Sequence, residues 1–241
     1  MTVLEVNDVR KAFRGLHAVD GVSFTVERGA ILGVIGPNGA GKTTLFDLIG
    51  GTLRPDAGRV VLDGRDVTGS PAHRVARAGL ARTFQLMRPF ASMTVRENVC
   101  VAALTRDRAG ADERADAVIA RVGLEPWRDT RAGELPTAGR KRLELARALA
   151  TRPHVLLLDE VLSGLVPAER EPLLELLTGL RDAEGLTLVL IEHIMAAVMR
   201  LSDRVLVLDQ GRVLATGTPE EVTRDPRVIE VYLGEERFDD G

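Results

Sequence analysis

The stretch GVIGPNGAGKTT places Gly36, four residues and then Gly41-Lys42-Thr43 directly behind an apolar run and ahead of a helical one. Glycines at this spacing let backbone N–H groups close around phosphates, the Lys42 ammonium reaches the terminal phosphates, and the Thr43 hydroxyl suits Mg²⁺. Such a phosphate loop needs a carboxylate at the end of a neighbouring strand, and VLLLDE supplies Asp159 with Glu160 beside it. The second carboxylate is placed to orient or deprotonate a water molecule. His193, in LVLIEHIM, lies just beyond another apolar run and near the expected phosphates, where it could hydrogen-bond a γ-phosphate or the attacking water. Gln85 closes a short strand-like run in ARTFQLM and carries no meaning alone.

These residues need a scaffold that brings strand ends together. Short Val/Ile/Leu-rich runs (VLEVNDV, VSFTV, AILGVIG, RVVLDG, HVLLLDE, LTLVLIE, RVLVLD) read as strands, the continuously apolar ones suiting a sheet covered on both faces. Helical patterns lie between several of them, over Lys42 to Ile49, Pro167 to Leu180 and Ile194 to Leu201. The alternation predicts an α/β fold with a largely parallel core sheet, a P-loop NTPase core, to which the strand-rich first sixty residues add an antiparallel layer. From about Met87 to Leu149 the strand signal stops and three helical stretches follow. The first is opened by the capping-box pattern Thr94-Val95-Arg96-Glu97. One domain over 1–241 is expected, with a core of about 1–86 and 150–241 and an inserted helical subdomain of about 87–149. Thr218-Pro219-Glu220-Glu221 is a second capped helix start.

Composition narrows the function. With 32 basic and 35 acidic residues and a net charge of −3, the chain has no global electrostatic footprint for nucleic acid, and 3% aromatics leaves few stacking platforms. The single cysteine, Cys100, excludes an intramolecular disulfide framework and fits a reducing compartment. No secretory leader is visible, and the apolar runs are far shorter than the roughly 20 residues that cross a bilayer.

The third helical stretch, ELPTAGRKRLELARALA, begins oddly. Its first turn carries Arg140, Lys141 and Arg142, although a helix N-terminus is already electropositive. A bound anion would explain it; so would a solvated basic face.

Taken together, Phe13, the loop Gly36-Pro37-Asn38-Gly39-Ala40-Gly41-Lys42-Thr43-Thr44, Gln85, the segment Leu135-Pro136-Thr137-Ala138-Gly139, Asp159 with Glu160, and His193 resemble, in order, the motifs of ATP-binding cassette (ABC) transporter ATPase subunits over nearly the whole chain. RTFQLMRPFASMTVRENV, IEHIM and VYLGEE look like the subunits of branched-chain amino-acid importers. The resemblance implies ATP and Mg²⁺ as cofactors. It places Phe13 on adenine, Lys42 and the loop amides on phosphates, and Thr43, Gln85 and Asp159 around Mg²⁺. Glu160 would be the general base, and His193 the γ-phosphate sensor. It further implies a second cassette as partner, a heterodimer being favoured, each ATP sandwiched between one chain's phosphate loop and the other's signature helix. The other expected partners are transmembrane permease subunits and, indirectly, an external solute-binding protein, at the cytoplasmic face of the membrane. No nucleic-acid partner is expected. Met87, Phe90 and Met93 are either part of a groove for a membrane-subunit helix or core of the helical lobe.

Two departures stand out. The family's Leu-Ser-Gly-Gly-Gln reads Leu135-Pro136-Thr137-Ala138-Gly139 here, so proline replaces serine and removes a hydroxyl and an N–H donor. Val161 stands where proline is usual, and Val166 where Asp or Asn normally reaches across the dimer interface. Residues serving the chain's own ATP are intact; those offered to the partner's ATP are altered. The chain would then hydrolyse ATP with a partner's signature and return a weakened one, unless Thr137 supplies the missing hydroxyl. Competing readings are a soluble cassette acting on nucleic acid or ribosomes, and a non-hydrolysing regulatory subunit.

Overall fold

A computed structural model describes residues 1–83 and 89–236, and splits the strands into two sheets. The first is antiparallel, in the order β2 (Leu16–Glu27), β1 (Thr2–Phe13), β4 (Ala57–Leu62), β5 (Arg65–Asp66). The second runs β10 (Arg212–Gly217), β9 (Arg204–Asp209), β3 (Ile31–Ile35), β8 (Thr187–Ile191), β7 (Val155–Asp159), β6 (Leu80–Arg82). It is parallel except for the β9–β10 hairpin. The short strands β5 and β6 lack the apolar runs that mark the others, and local pattern does not announce them.

Strands β3, β7 and β8 are buried along their whole length because both faces of the sheet are covered. Val155 and Leu157 face the antiparallel sheet and α1 (Lys42–Ile49), while Leu156 and Leu158 face helices on the other side. Helix α2 (Ala72–Ala78) leads into β6. Between β6 and β7 lie α3 (Val95–Leu104), α4 (Ala111–Arg121) and α5 (Thr137–Ala150), which pack on one another. α6 (Pro167–Glu184) and α7 (Met195–Leu201) flank β8, and α8 (Pro219–Thr223) and α9 (Pro226–Glu236) end the described chain.

Both capping boxes expected from sequence form. Thr94 Oγ1 accepts the Glu97 N–H at 3.1 Å and Glu97 returns an acceptor to the Thr94 N–H at 2.7 Å. Thr218 and Glu221 repeat the exchange at 3.3 and 2.8 Å. α6 extends four residues beyond the predicted Leu180 and stops at Gly185, whose left-handed φ of 64° ends the helix. Among the described residues no helix is long and apolar enough to cross a membrane.

Candidate active site

The parallel strands point their carboxyl ends toward one edge, the edge at which open α/β sheets bind ligands. There β3 turns into the phosphate loop and α1. Gly36 has φ 148°, and a Cβ on it would meet the Leu208 carbonyl oxygen at 2.1 Å; a Cβ on Gly41, at φ 97°, would meet Ala18 O at 2.2 Å. Only glycine keeps this loop shape, which leaves the first amides of α1 turned to the loop. Lys42 is buried and donates to the carbonyls of Gly36 at 2.6 Å and Pro37 at 2.8 Å, so its ammonium is held inside the loop.

Two strands away, Asp159 ends β7 and is only 3% exposed. A buried carboxylate demands a partner, and Arg82, the last residue of β6, donates to it from Nη2 at 2.9 Å. The backbone N–H of Asp159 donates separately to the Thr83 hydroxyl at 3.2 Å. The same guanidinium reaches Asp47 on α1 through Nη1 at 2.5 Å and lies 5.7 Å from the centroid of the Phe46 ring. One arginine, its side chain only 7% exposed, thus ties the phosphate-loop helix to the acidic strand end. Asp159 and Thr43 present hard oxygen donors of the kind Mg²⁺ takes.

The register Asp159↔Ile191 brings the next residues of β7 and β8 side by side. Glu160 Oε1 meets His193 Nε2 at 2.9 Å, with Glu160 largely buried and His193 half-exposed. Glu160 has φ 49°, a conformation costing about 1–3 kcal/mol outside glycine. Its N–H donates to Ile191 O at 2.9 Å, while its carbonyl accepts from Ser163 N at 3.2 Å and from Lys141 Nζ at 2.8 Å. Glu192 is buried and accepts the Leu162 N–H at 2.8 Å. Burial pushes the Glu192 carboxyl up to about 7, against the Leu162 N–H and the Lys141 charge. Burial likewise draws the Lys141 ammonium below its ordinary value, opposed by Glu192, Glu160, Asp159 and Glu144.

These contacts change the reading of α5. Lys141 turns inward to this chain's own acidic cluster, and Arg142 caps α4 by donating to Val122 O at 2.7 Å. Two of the three basic residues of the first turn are therefore engaged within this chain rather than spread on a solvated face. Pro136 is the N-cap of α5 and gives no side-chain cap. Its ring seats on Gly139, where an added Cβ would lie 3.3 Å from Pro136 Cδ. Leu135 and Gly139 are buried, Ala138 is half-buried, and Pro136 and Thr137 are exposed. At the start of α6, Glu169 accepts the Val166 N–H at 3.1 Å, but Val166, exposed, returns no acceptor.

Phe13 sits at the exposed tip of the β1–β2 hairpin with Lys11 Nζ 5.6 Å from its ring centroid. Gln85 and Met87 lie outside the described residues. Phe90 is 47% exposed, under the Arg147 guanidinium at 5.6 Å, and Met93 is half-buried. Phe90 lines a cavity of about 580 Å³ with His73, Arg77, Val101, Arg106 and Arg147. Phe90 is thus groove wall and not lobe core.

Sequence reasoning missed Arg82, Asp47, Lys141 and Glu192 as members of the site. One signal existed: Lys141 falls on the α5 stripe with Leu145 and Ala148, a charge at a position where period 3.6 calls for an apolar residue. Arg82 and Glu192 have no such mark, because their partners come from segments distant in the chain.

Residues 19–163 match the family model described as ABC transporter, and 212–237 match that of the branched-chain amino acid ATP-binding cassette transporter. The chain is 41% identical to the high-affinity branched-chain amino acid transport ATP-binding protein BraF of Pseudomonas aeruginosa, over 97% of this chain and 98% of BraF. LivG of Escherichia coli, of the same printed description, is 40% identical over the same shares. A solved ABC transporter cassette, MJ1267 in its ADP conformation, superposes with a TM-score of 0.88 at 31% identity, over 97% of this chain and 99% of that one.

Proposed function

The chain belongs to the ABC transporter family as an ATP-binding, ATP-hydrolysing subunit, and on that premise we propose that it powers uptake of branched-chain amino acids or a related small polar solute. It would work as a peripheral protein on the cytoplasmic face of the membrane, beneath permease subunits and, indirectly, an external solute-binding protein. The descriptions of BraF and LivG, together with the match over 212–237, support that cargo. Residues 1–86 and 150–241 act as the core, and 87–149 as the helical subdomain whose Phe90-lined groove receives a permease helix.

The observation that carries the catalytic reading is the Glu160–His193 contact beside Asp159, at the strand edge facing the phosphate loop. The loop amides and Lys42 hold the phosphates, and Phe13 stacks on adenine. Thr43 and Asp159, with Gln85, would hold Mg²⁺, which would supply neutralisation of the phosphate charge. Arg82 fixes the Asp159 carboxylate. Glu160 takes the proton of the attacking water while His193 orients it and senses the terminal phosphate.

Pro136 and Val166 support a second part of the reading. The chain pairs with a different cassette, uses that partner's signature for its own ATP, and returns a weakened signature. The test is ATP turnover of the complex co-purified with its membrane subunits. Glu160→Gln is expected to lower it by about 10²–10⁴-fold, more than the equivalent change in the partner. Unchanged turnover here, with abolition by the partner's change, sinks the unequal-site reading. Leucine-stimulated turnover in the presence of the binding protein tests the cargo.

A further inference from the structure

We propose that Lys141 is a positioning residue of the chain's own ATP site, holding the Glu160 peptide in the left-handed conformation that delivers its carboxylate to His193. The inference rests on Glu160 being the general base. A non-glycine residue at φ 49° persists only where its surroundings over-determine it. Three hydrogen bonds do so here: Glu160 N–H to Ile191 O, Ser163 N–H to Glu160 O, and Lys141 Nζ to Glu160 O at 2.8 Å. The first comes from the neighbouring strand and the second from within the turn. The third comes from α5, which carries the signature segment at its start.

Lys141 is only 8% exposed, so its charge has been moved out of water to make this contact. A surface lysine with a solvated role would not bear that desolvation. Glu192 completes the clamp by holding Leu162 N–H at 2.8 Å, two residues beyond Glu160. Consequently α5 serves two sites. Its exposed Pro136 and Thr137 turn outward, and its fifth helical residue governs the chain's own catalytic carboxylate. A shift of α5 that lengthens the Lys141 contact by about an ångström takes it out of hydrogen-bonding range and releases Glu160. Movement of the helical lobe is thereby coupled to hydrolysis within one chain.

The test compares Lys141→Met, Lys141→Arg and Glu160→Gln in the complex with its membrane subunits, measuring turnover, KM for ATP and ATP affinity. Lys141→Met should lower turnover about 10- to 100-fold, toward the Glu160→Gln level, as misplacement of a reacting group by an ångström does. KM and affinity should stay within about twofold, and Lys141→Arg, which keeps a cationic donor, should recover much of the loss. Wild-type turnover in Lys141→Met beside a large loss in Glu160→Gln overturns the role of Lys141. So does equal loss of turnover and ATP affinity in both Lys141 variants, the mark of a scaffold residue. Unchanged turnover in Glu160→Gln strikes instead at the base assignment, and the two failures are distinguishable. Should Lys141→Met not fold, Lys141→Gln, one bond shorter and uncharged, carries the same decision: lost turnover at retained affinity supports the role, and unchanged turnover overturns it.

Discussion

The half of the molecule that serves its own nucleotide and the half that faces outward from α5 and α6 are built differently. In the first, Lys42, Asp159, Lys141 and Glu192 are buried charges and the Arg82 side chain is only 7% exposed, and each has a hydrogen-bonding partner. In the second, Pro136 and Val166 begin two helices without offering either a capping side chain, and both are exposed. Buried charges must be matched by neighbours or the fold bears their desolvation; exposed apolar caps cost only the few tenths to two kcal/mol of a missing cap. The first half is therefore constrained by the stability of this chain. The second is under no such constraint from within this chain, so changes there leave the site behind it undisturbed.

That contrast can be broken at its strongest point. Arg82→Met leaves Asp159 buried without its cation, and should lower unfolding stability by about 3–5 kcal/mol, read from denaturant midpoints of the full chain. Arg82→Lys should not restore it, since one ammonium cannot reproduce the forked contact with Asp47 and Asp159. A loss below about 1 kcal/mol, the range of an exposed pair, would show that the buried network is not what distinguishes the two halves.

Glu192 sharpens the comparison through pH. Its folded pKa of about 7 lies above the ordinary 4.5, so the folded state keeps a proton that the unfolded chain gives up. Its contribution is full below about pH 4.5 and is lost as pH rises through 7, amounting to roughly 3–4 kcal/mol at 1.36 kcal/mol per unit. Glu192→Gln, which keeps an acceptor for the Leu162 N–H, should flatten the dependence of Tm on pH between 5 and 7.5. A variant with the wild-type slope would remove Glu192 as its source.

The smallest expected effect lies in the outward half. Val166→Asn supplies the missing acceptor opposite Glu169, and should stabilise the chain by about 1 kcal/mol, read as a rise in Tm with turnover of the isolated chain unaltered. Destabilisation would mean that Val166 has a packing role within this chain.

Much of the site was legible because its chemistry is written in contiguous residues. The spacing of Gly36, Gly41, Lys42 and Thr43, an aspartate closing four apolar residues, and a histidine behind another apolar run each announce a strand end with a task. The capping boxes at Thr94 and Thr218 were legible for the same reason: donor and acceptor lie three residues apart. Arg82 was not, because it becomes significant only when β6 pairs with β7 and places it between Asp47 and Asp159. The basic first turn of α5 was legible as an anomaly but not as an answer. Charge and helix polarity alone could not say that Lys141 faces inward.

By itself, then, the sequence determined the α/β framework, the phosphate loop and the candidates Asp159, Glu160 and His193, since strand periodicity and short-range spacing set them locally. Tertiary structure alone decided which charges meet. The pairing of Asp159 with Ile191 sets Glu160 beside His193 and Glu192, and the packing of α5 drives Lys141 into the Glu160 turn. The physical reason is that a buried charge is settled by partners distant in the chain, and no local pattern records who they are.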